Sequence, residues 1–376
     1  MDEEEDENGK KNIVIDNGSD SCKVGFSGDE GPLSIVPSYV GYPNYNPPLL
    51  SDKNNPYLGE DAQNNLGILS LSYPINHGMV TNWDDMEKIY NYIFTNKLKL
   101  DPVEHKVIFT EPLINPKKNR EKLVEIMFDT FNVPGMSLIL QVLSDLYAGG
   151  KFSGFVVDSG EGLTQFAYIG DGYVLSESSM KINLSGGEAT NYMFKLLQEL
   201  GLNLTINEKG IAKEIKEKAC YVALNFEKEM KSVEKLDYEL PDGNKVVIED
   251  QRIRCPEAFF TPSNIGIKGI GLPKICYDLI QKCNIYIKKD VYNCICLFGG
   301  NSLFKGFPER FTKEMQSLVP GPMKDKVNVI ASPERKNSAW IGGSIISSVS
   351  GFESNFITKT EYEENGPSAI KKFLRQ

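Results

Sequence analysis

Two stretches far apart in the chain follow one design. Ile13-Val14-Ile15-Asp16-Asn17-Gly18-Ser19 and Phe155-Val156-Val157-Asp158-Ser159-Gly160-Glu161-Gly162 each run three apolar residues into an aspartate and then into small residues that favour turns. A second strand-like stretch follows each, from Cys22 to Phe26 and from Thr164 to Tyr168. The pattern predicts a buried strand, a tight turn and a second strand, made twice. A chain of 376 residues exceeds the usual size of one hydrophobic core, so the repeat predicts two similar halves.

Helical periodicity fills the intervals, which makes the expected class mixed α/β with helices and strands in layers. Helices are predicted over Trp83 to Leu98 after a cap at Thr81 or Asn82, and from an Asn115 cap with Pro116 at the first helical position to a stop before Pro134. Two more are predicted over Glu188 to Leu200, ending at Gly201, and over Lys209 to Phe226. The segment Tyr42 to Pro56 has four prolines and no period, and predicts an exposed loop. The acidic run at residues 2–7 predicts a disordered tip, although both segments also read as ordinary solvated surface.

Composition narrows the function classes. Hydrophobic residues make up 40% and charged residues 24%, and no apolar run approaches the roughly 18 residues of a membrane span, so no membrane partner is expected. The acidic first residues lack the positive charge and apolar stretch of a secretory signal, which leads to the expectation of a cytoplasmic or nuclear protein, of which the cytoplasm is favoured. A net charge of −10 without a dense basic stripe argues against direct nucleic-acid binding. The seven cysteines include no C-x-x-C pair and read as reduced core thiols, with Cys294 and Cys296 on one face of a buried strand. His77 and His105 are the only histidines, so any bound cation is expected to be held by oxygen.

The paired turns carry the chemistry. Backbone N–H groups at close range, which glycine and serine permit, suit a phosphate chain, and carboxylates suit the water shell of a divalent cation. Two further glycine turns are predicted. Leu297-Phe298-Gly299-Gly300-Asn301-Ser302 suits an adenine or ribose site, and Trp340-Ile341-Gly342-Gly343-Ser344 is read as close packing. No G-x-x-x-x-G-K-[ST] pattern occurs.

The paired loops resemble those of the actin, sugar kinase and Hsp70 superfamily. Tyr73-Pro-Ile-Asn-His-Gly-Met-Val-Thr-Asn-Trp-Asp-Asp-Met-Glu-Lys88, Ile215-Lys-Glu-Lys-Ala-Cys-Tyr-Val-Ala-Leu224 and Pro333-Glu-Arg-Lys336 narrow the resemblance to actin, over about residues 12 to 370. It implies a duplicated actin-like ATPase fold of the ribonuclease H-like kind, with two lobes around a nucleotide cleft. The small outer lobe would be 1–147 plus 338–376, with a mobile-loop subdomain at 38–73. The large inner lobe would be 148–337, with an outer subdomain at 185–267. It further implies ATP or ADP with Mg2+ or Ca2+. Asp16 and Asp158 would stand near the cation. Gly18, Ser19, Asp20, Ser21 and Lys23 would form the first phosphate loop, and Ser159, Gly160, Glu161, Gly162 and Leu163 the second. Lys216 and Glu217 would hold base and ribose, Gly300, Asn301, Ser302 and Leu303 would close over the nucleotide, and Lys336 would flank the adenine. Gln141 would orient the attacking water, with Asp158 and Gln165 beside it, in hydrolysis driven by positioning and electrostatics.

Several positions depart from the family pattern. Asp20 stands where actin has a glycine, Gln165 where it has a histidine, and Glu161 where it has an aspartate. A carboxylate about 5 Å from a phosphate would be repelled by on the order of 3 kcal/mol at most. The resemblance also implies self-association, for which the loop at 42–56 and an apolar plug at Asn264-Ile265-Gly266-Ile267 would be contacts. Here the loop is proline-rich, Asn264 replaces an aromatic, and about five residues are missing before Leu236. A groove of Tyr147, Ala148, Gly172, Tyr173, Ile341, Ile345, Ile346 and Val349 would accept regulators of the profilin or amphipathic-helix type. The expectation is a cytoskeletal, slowly hydrolysing filament subunit. A non-polymerising scaffold subunit and a sugar kinase stand as alternatives.

Overall fold

A computed structural model describes residues 11–44, 56–205, 208–240 and 243–375. The acidic tip at 2–7 and most of the proline-rich loop therefore lie outside the described residues. The chain divides into two compact units. The first comprises Met1–Phe152, Ile169–Val174 and Asn337–Gln376, and the second Ser153–Tyr168 and Leu175–Lys336.

In the first unit, β1 (Ile13–Asn17) and β2 (Ser21–Phe26) form the predicted antiparallel hairpin, and β3 (Ser34–Pro37) extends it. β4 (Val107–Glu111) runs parallel to β1, and β5 (Gly135–Leu140) parallel to β4. The short strand Ile357–Thr358 closes the β5 edge, in the order Ile357–Thr358, β5, β4, β1, β2, β3. Ile13, Val14 and Ile15 are fully buried, because a strand in mid-sheet covered on both faces needs apolar residues at every position.

The second sheet repeats this plan. β6 (Gly154–Ser159), β7 (Thr164–Gly170) and β8 (Tyr173–Ile182) neighbour one another, and β9 (Ile295–Phe298) and β10 (Val329–Ile330) follow in parallel beside β6. The order β8-β7-β6-β9-β10 matches β3-β2-β1-β4-β5 strand for strand. The sequence repeat is thus a repeat of topology, and in each sheet the aspartate lies one residue before the end of the central strand.

The helices follow the periodicity, with corrections at their ends. α1 (Trp83–Tyr92) is capped by Asn82, whose side chain accepts from Asp85 N, and a π-turn continues it over Ile93–Leu98. α2 (Lys117–Glu125) starts one residue later than predicted. Asn115 does not cap it, because its amide donates to Glu111 Oε2 at 3.0 Å, and Pro116 holds the cap position. α3 (Gln141–Ala148) follows β5 directly. α4 (Gly186–Glu199) begins two residues early, and Gly201 follows it at φ +88°. α5 (Lys209–Ala219) is much shorter than predicted. It stops because Tyr221 joins a parallel bridge with Lys305 and Val222 N donates to Lys305 O, which draws the backbone out straight. A new helix, Phe226–Glu229, starts under an Asn225 cap.

The second predicted glycine turn is instead the interior of the helix Ser338–Ser347. Its glycines do serve packing: a Cβ on Gly342 would overlap the carbonyl oxygen of Ser144 in α3. Trp340, fully buried, locks this helix onto the sheet by donating Nε1–H to Val14 O at 3.0 Å. Six of the cysteines are buried, and Cys294 is half-buried.

Candidate functional site

Each unit carries a polar cluster at its hairpin turn. In the first, strand register pairs Asp16 with Lys23 on β2 and with Thr110 on β4, so three polar side chains share one rung across three strands. Lys23 Nζ donates to Asp16 Oδ2 at 2.7 Å, while Thr110 Oγ1 at 2.5 Å and Gln141 Nε2 at 3.0 Å donate to Oδ1. Gln141 reaches the cluster because α3 begins where β5 ends. Asp16 is 2% exposed. Burial pushes its carboxyl up, but the Lys23 charge and the bonds from Lys23, Thr110 and Gln141 outweigh it and hold the group below its ordinary range.

The turn itself is held from outside. Ser38 Oγ donates to Gly18 O at 2.7 Å, Ser38 N donates to Asp20 O at 2.9 Å, and Gly78 N donates to Ser19 Oγ at 3.2 Å. A Cβ on Gly18 would come within 2.6 Å of Ser21 O, so a side chain there would block the close return of the chain. Asp20 and Ser21 are half-buried. Beneath the turn, burial pushes the Cys22 thiol up to about 12, which keeps it protonated.

The second cluster repeats the first with different chemistry. Asp158 accepts from Gln165 Nε2 at 3.1 Å, and Gln165 stands seven residues on, as Lys23 does from Asp16. Across β9 the rung partner is Phe298 instead of threonine. The loop from Ser159 to Leu163 is closed by Gly160 N donating to Leu163 O, and it is bonded to two neighbours. Asn301 Nδ2 donates to Ser159 Oγ at 3.1 Å and to Gly160 O at 2.7 Å, and the start of α4 donates Gly186 N to Gly160 O and Gly187 N to Glu161 O. Gly299, at φ +81°, lets the turn lie against Ser159 and Asp158, where a Cβ would approach Asp158 Oδ1 to 2.5 Å.

Lys216, 2% exposed, points inward and donates to Gly186 O at 3.1 Å, with Glu161 Oε2 at 3.4 Å. Gly162 is half-buried, Leu163, Asn301 and Ser302 are buried, Leu303 is 40% exposed, and Gly300, Glu217 and Lys336 are exposed.

Three residues of these clusters were not singled out from sequence. Thr110 had a signal, being a hydroxyl directly after the apolar run Val107-Ile108-Phe109 of its strand. Ser38 had none. Arg335 ties the turn down by donating Nε to Ser302 Oγ and Nη2 to Ser302 O, each at 3.0 Å, while its own carbonyl accepts from Gly299 N. Burial lowers its guanidinium from the ordinary value.

With this geometry in view, a protein-family model described as Actin matches residues 7–374, nearly the whole chain. The chain belongs to the actin family. The two like-ordered sheets are consistent with the two-lobed actin-family fold. Among the described residues, no helix is long and apolar enough to cross a membrane.

Proposed function

We propose that this actin-family protein binds ATP, or ADP after turnover, together with Mg2+ or Ca2+, and hydrolyses the γ-phosphate slowly as a divergent cytoskeletal filament subunit. The observation that carries the reading is the duplicated rung: an aspartate near the strand end bonded to the residue seven on, beside a glycine turn, which in the first hairpin a side chain would block. Such turns suit phosphates, and Lys23 supplies a positive charge to the first of them.

The donors fit a cation that keeps most of its water. Each hairpin carries one aspartate at the next-to-last residue of its central strand, and Mg2+ is commonly bound through one or two carboxylates plus substrate phosphates. The cation would offset phosphate charge when bound. Asp16 already accepts three protein donors, which suits it to orienting Lys23 and Gln141. Gln165 can hold a water by hydrogen bonds but cannot take a proton as imidazole does, which supports slow turnover. In a phosphate-release assay on purified protein, turnover below that of conventional actin is expected, with a several-fold rise in Gln165→His. Equal turnover, or no response to that substitution, sinks the hydrolysis reading.

The scaffold alternative has an observation in its favour. In the plug segment Ile265 and Ile267 pack against the second unit's own core, and Asn264 is exposed, so the plug offers little apolar surface to a neighbour. Sedimentation with ATP and magnesium separates the readings: protein in the pellet supports the filament subunit, and protein that stays soluble supports the scaffold. In the first unit Tyr173, Ile345 and Val349 are 72%, 41% and 53% exposed, which supports a groove for a profilin-like or amphipathic-helix regulator.

A further inference from the structure

The proposed function leaves one pair of reactive side chains unused. Cys294 and Cys296 flank Ile295 at the start of β9, and residues two apart in a strand project to the same face. Their sulfurs stand 3.8 Å apart. Cys296 is 1% exposed, Cys294 is half-buried, and the Cys294 sulfur lies 3.6 Å from the carbonyl oxygen of Ser153. One thiol is thus open to solvent and leads to the other.

Two outcomes compete for such a pair. A disulfide requires the sulfurs to close to about 2.05 Å and prefers Cα atoms about 5.5–6 Å apart. Residues two apart on an extended strand are about 6.6–6.8 Å apart, beyond that preference and at the limit of about 6.8 Å that disulfides tolerate, so closure would pull the strand out of register. A shared metal ion asks for no such movement. Two thiolates about 2.3 Å from one tetrahedral ion stand about 3.8 Å apart, the spacing already present.

We infer that Cys294 and Cys296 form a two-thiolate seat for a soft, thiophilic ion of the zinc or copper(I) class. Among the described residues no group of three or more His, Cys, Asp or Glu is placed to hold a metal, so the remaining positions fall to water and backbone oxygen, with Ser153 O nearest at hand. The seat is accordingly of modest affinity and exchangeable. Binding replaces two S–H protons with two metal–sulfur bonds, releases both protons, and strengthens as pH rises.

The test uses the full chain, reduced and metal-free, titrated with Cd2+ as a spectroscopic stand-in. The expected result is one ion per chain, a thiolate-to-metal absorption in the ultraviolet, and release of close to two protons per ion at neutral pH. Cys294→Ser, at a half-buried position, and Cys296→Val, which keeps an apolar strand residue, are each expected to weaken binding at least tenfold. Cys220→Ala/Cys255→Ala is expected to leave it unchanged. Thermal unfolding of each variant checks the fold, and Cys294→Ser alone decides the matter if Cys296→Val is unstable. Unchanged titration in Cys294→Ser, or loss in the Cys220/Cys255 variant, overturns the assignment.

Discussion

Replacing Lys23 by glutamine writes the second hairpin's chemistry into the first. Asp16 is 2% exposed and takes a 2.7 Å bond from Lys23, so the substitution leaves a carboxylate buried without its ammonium. Breaking a buried pair by removing one partner costs about 3–5 kcal/mol. Thr110 and Gln141 still donate to Oδ1, which places the expectation near the low end, about 3 kcal/mol at neutral pH, or a fall in Tm of about 6–12 °C. The pH dependence separates this cause from a packing defect. In the native protein the Asp16 carboxyl is held below its unfolded value of about 3.9, so its contribution is complete above that pH and is lost as pH falls through the lower folded value. In the variant burial is no longer offset by Lys23, and the folded value moves above the unfolded one. The penalty is then full at neutral pH and shrinks on acidification as the buried group takes up a proton. Urea unfolding of both proteins from about pH 7 down to about pH 4 measures the gap. A gap that stays constant with pH, or one below about 1 kcal/mol throughout, refutes the reasoning.

Gly342→Ala is expected to destabilise by about 1–3 kcal/mol or more, because its Cβ would overlap a rigid carbonyl of Ser144. Gly343→Ala meets side-chain atoms alone, of Val14 at 3.3 Å, Thr110 at 3.4 Å and Ser144 at 4.0 Å, so calorimetric melting should find it milder. Asn301→Ala removes the bonds to Ser159 and Gly160 and should weaken ATP binding about tenfold, measured by equilibrium titration, through loss of about 1–2 kcal/mol of loop ordering. Arg310 pairs with buried Glu257, 3% exposed, and donates to Ala223 O at 2.7 Å. Arg310→Met should therefore cost about 3–5 kcal/mol in chemical unfolding, with part recovered in Arg310→Met/Glu257→Leu.

What was legible in the sequence was whatever rests on local pattern. Three buried residues before an aspartate and a turn announce a strand end, and that suffices to find both hairpins. The bonds between strands were not legible. Thr110 joins Asp16 only because β4 lies beside β1 in one register, and nothing near Thr110 in sequence states that neighbour. Helix ends failed for a related reason. Asn115 has a cap's chemistry but spends its amide on Glu111, and α5 ends where a distant backbone at Lys305 captures Val222. The Trp340 to Ser344 segment was misread because glycine pairs mark turns by local rules, whereas here they let two helices touch.

The two rungs differ in charge as well as in residue type, and under the proposed function that difference divides their labour. Lys23 neutralises Asp16 within the first hairpin, whereas no Lys or Arg occurs from Gly154 to Gly170 around Asp158. A phosphate chain approaching the second hairpin therefore meets a carboxylate with no ammonium from the same hairpin, and a divalent cation is what makes that approach favourable. Gln165→Lys would supply the missing charge at the position that Lys23 holds in the first half. At about 4 Å and an effective dielectric of 20, one such charge is worth up to about 4 kcal/mol, before the cost of burying it at a position with no exposure. Even half of that should lower, at least tenfold, the ratio of ATP affinity with magnesium to ATP affinity without it. The same substitution at Leu200, which is 40% exposed just after α4, serves as the control for adding charge at a distance. An unchanged ratio in a folded Gln165→Lys variant would show that the asymmetry between the hairpins is structural and that the cation answers to some other group.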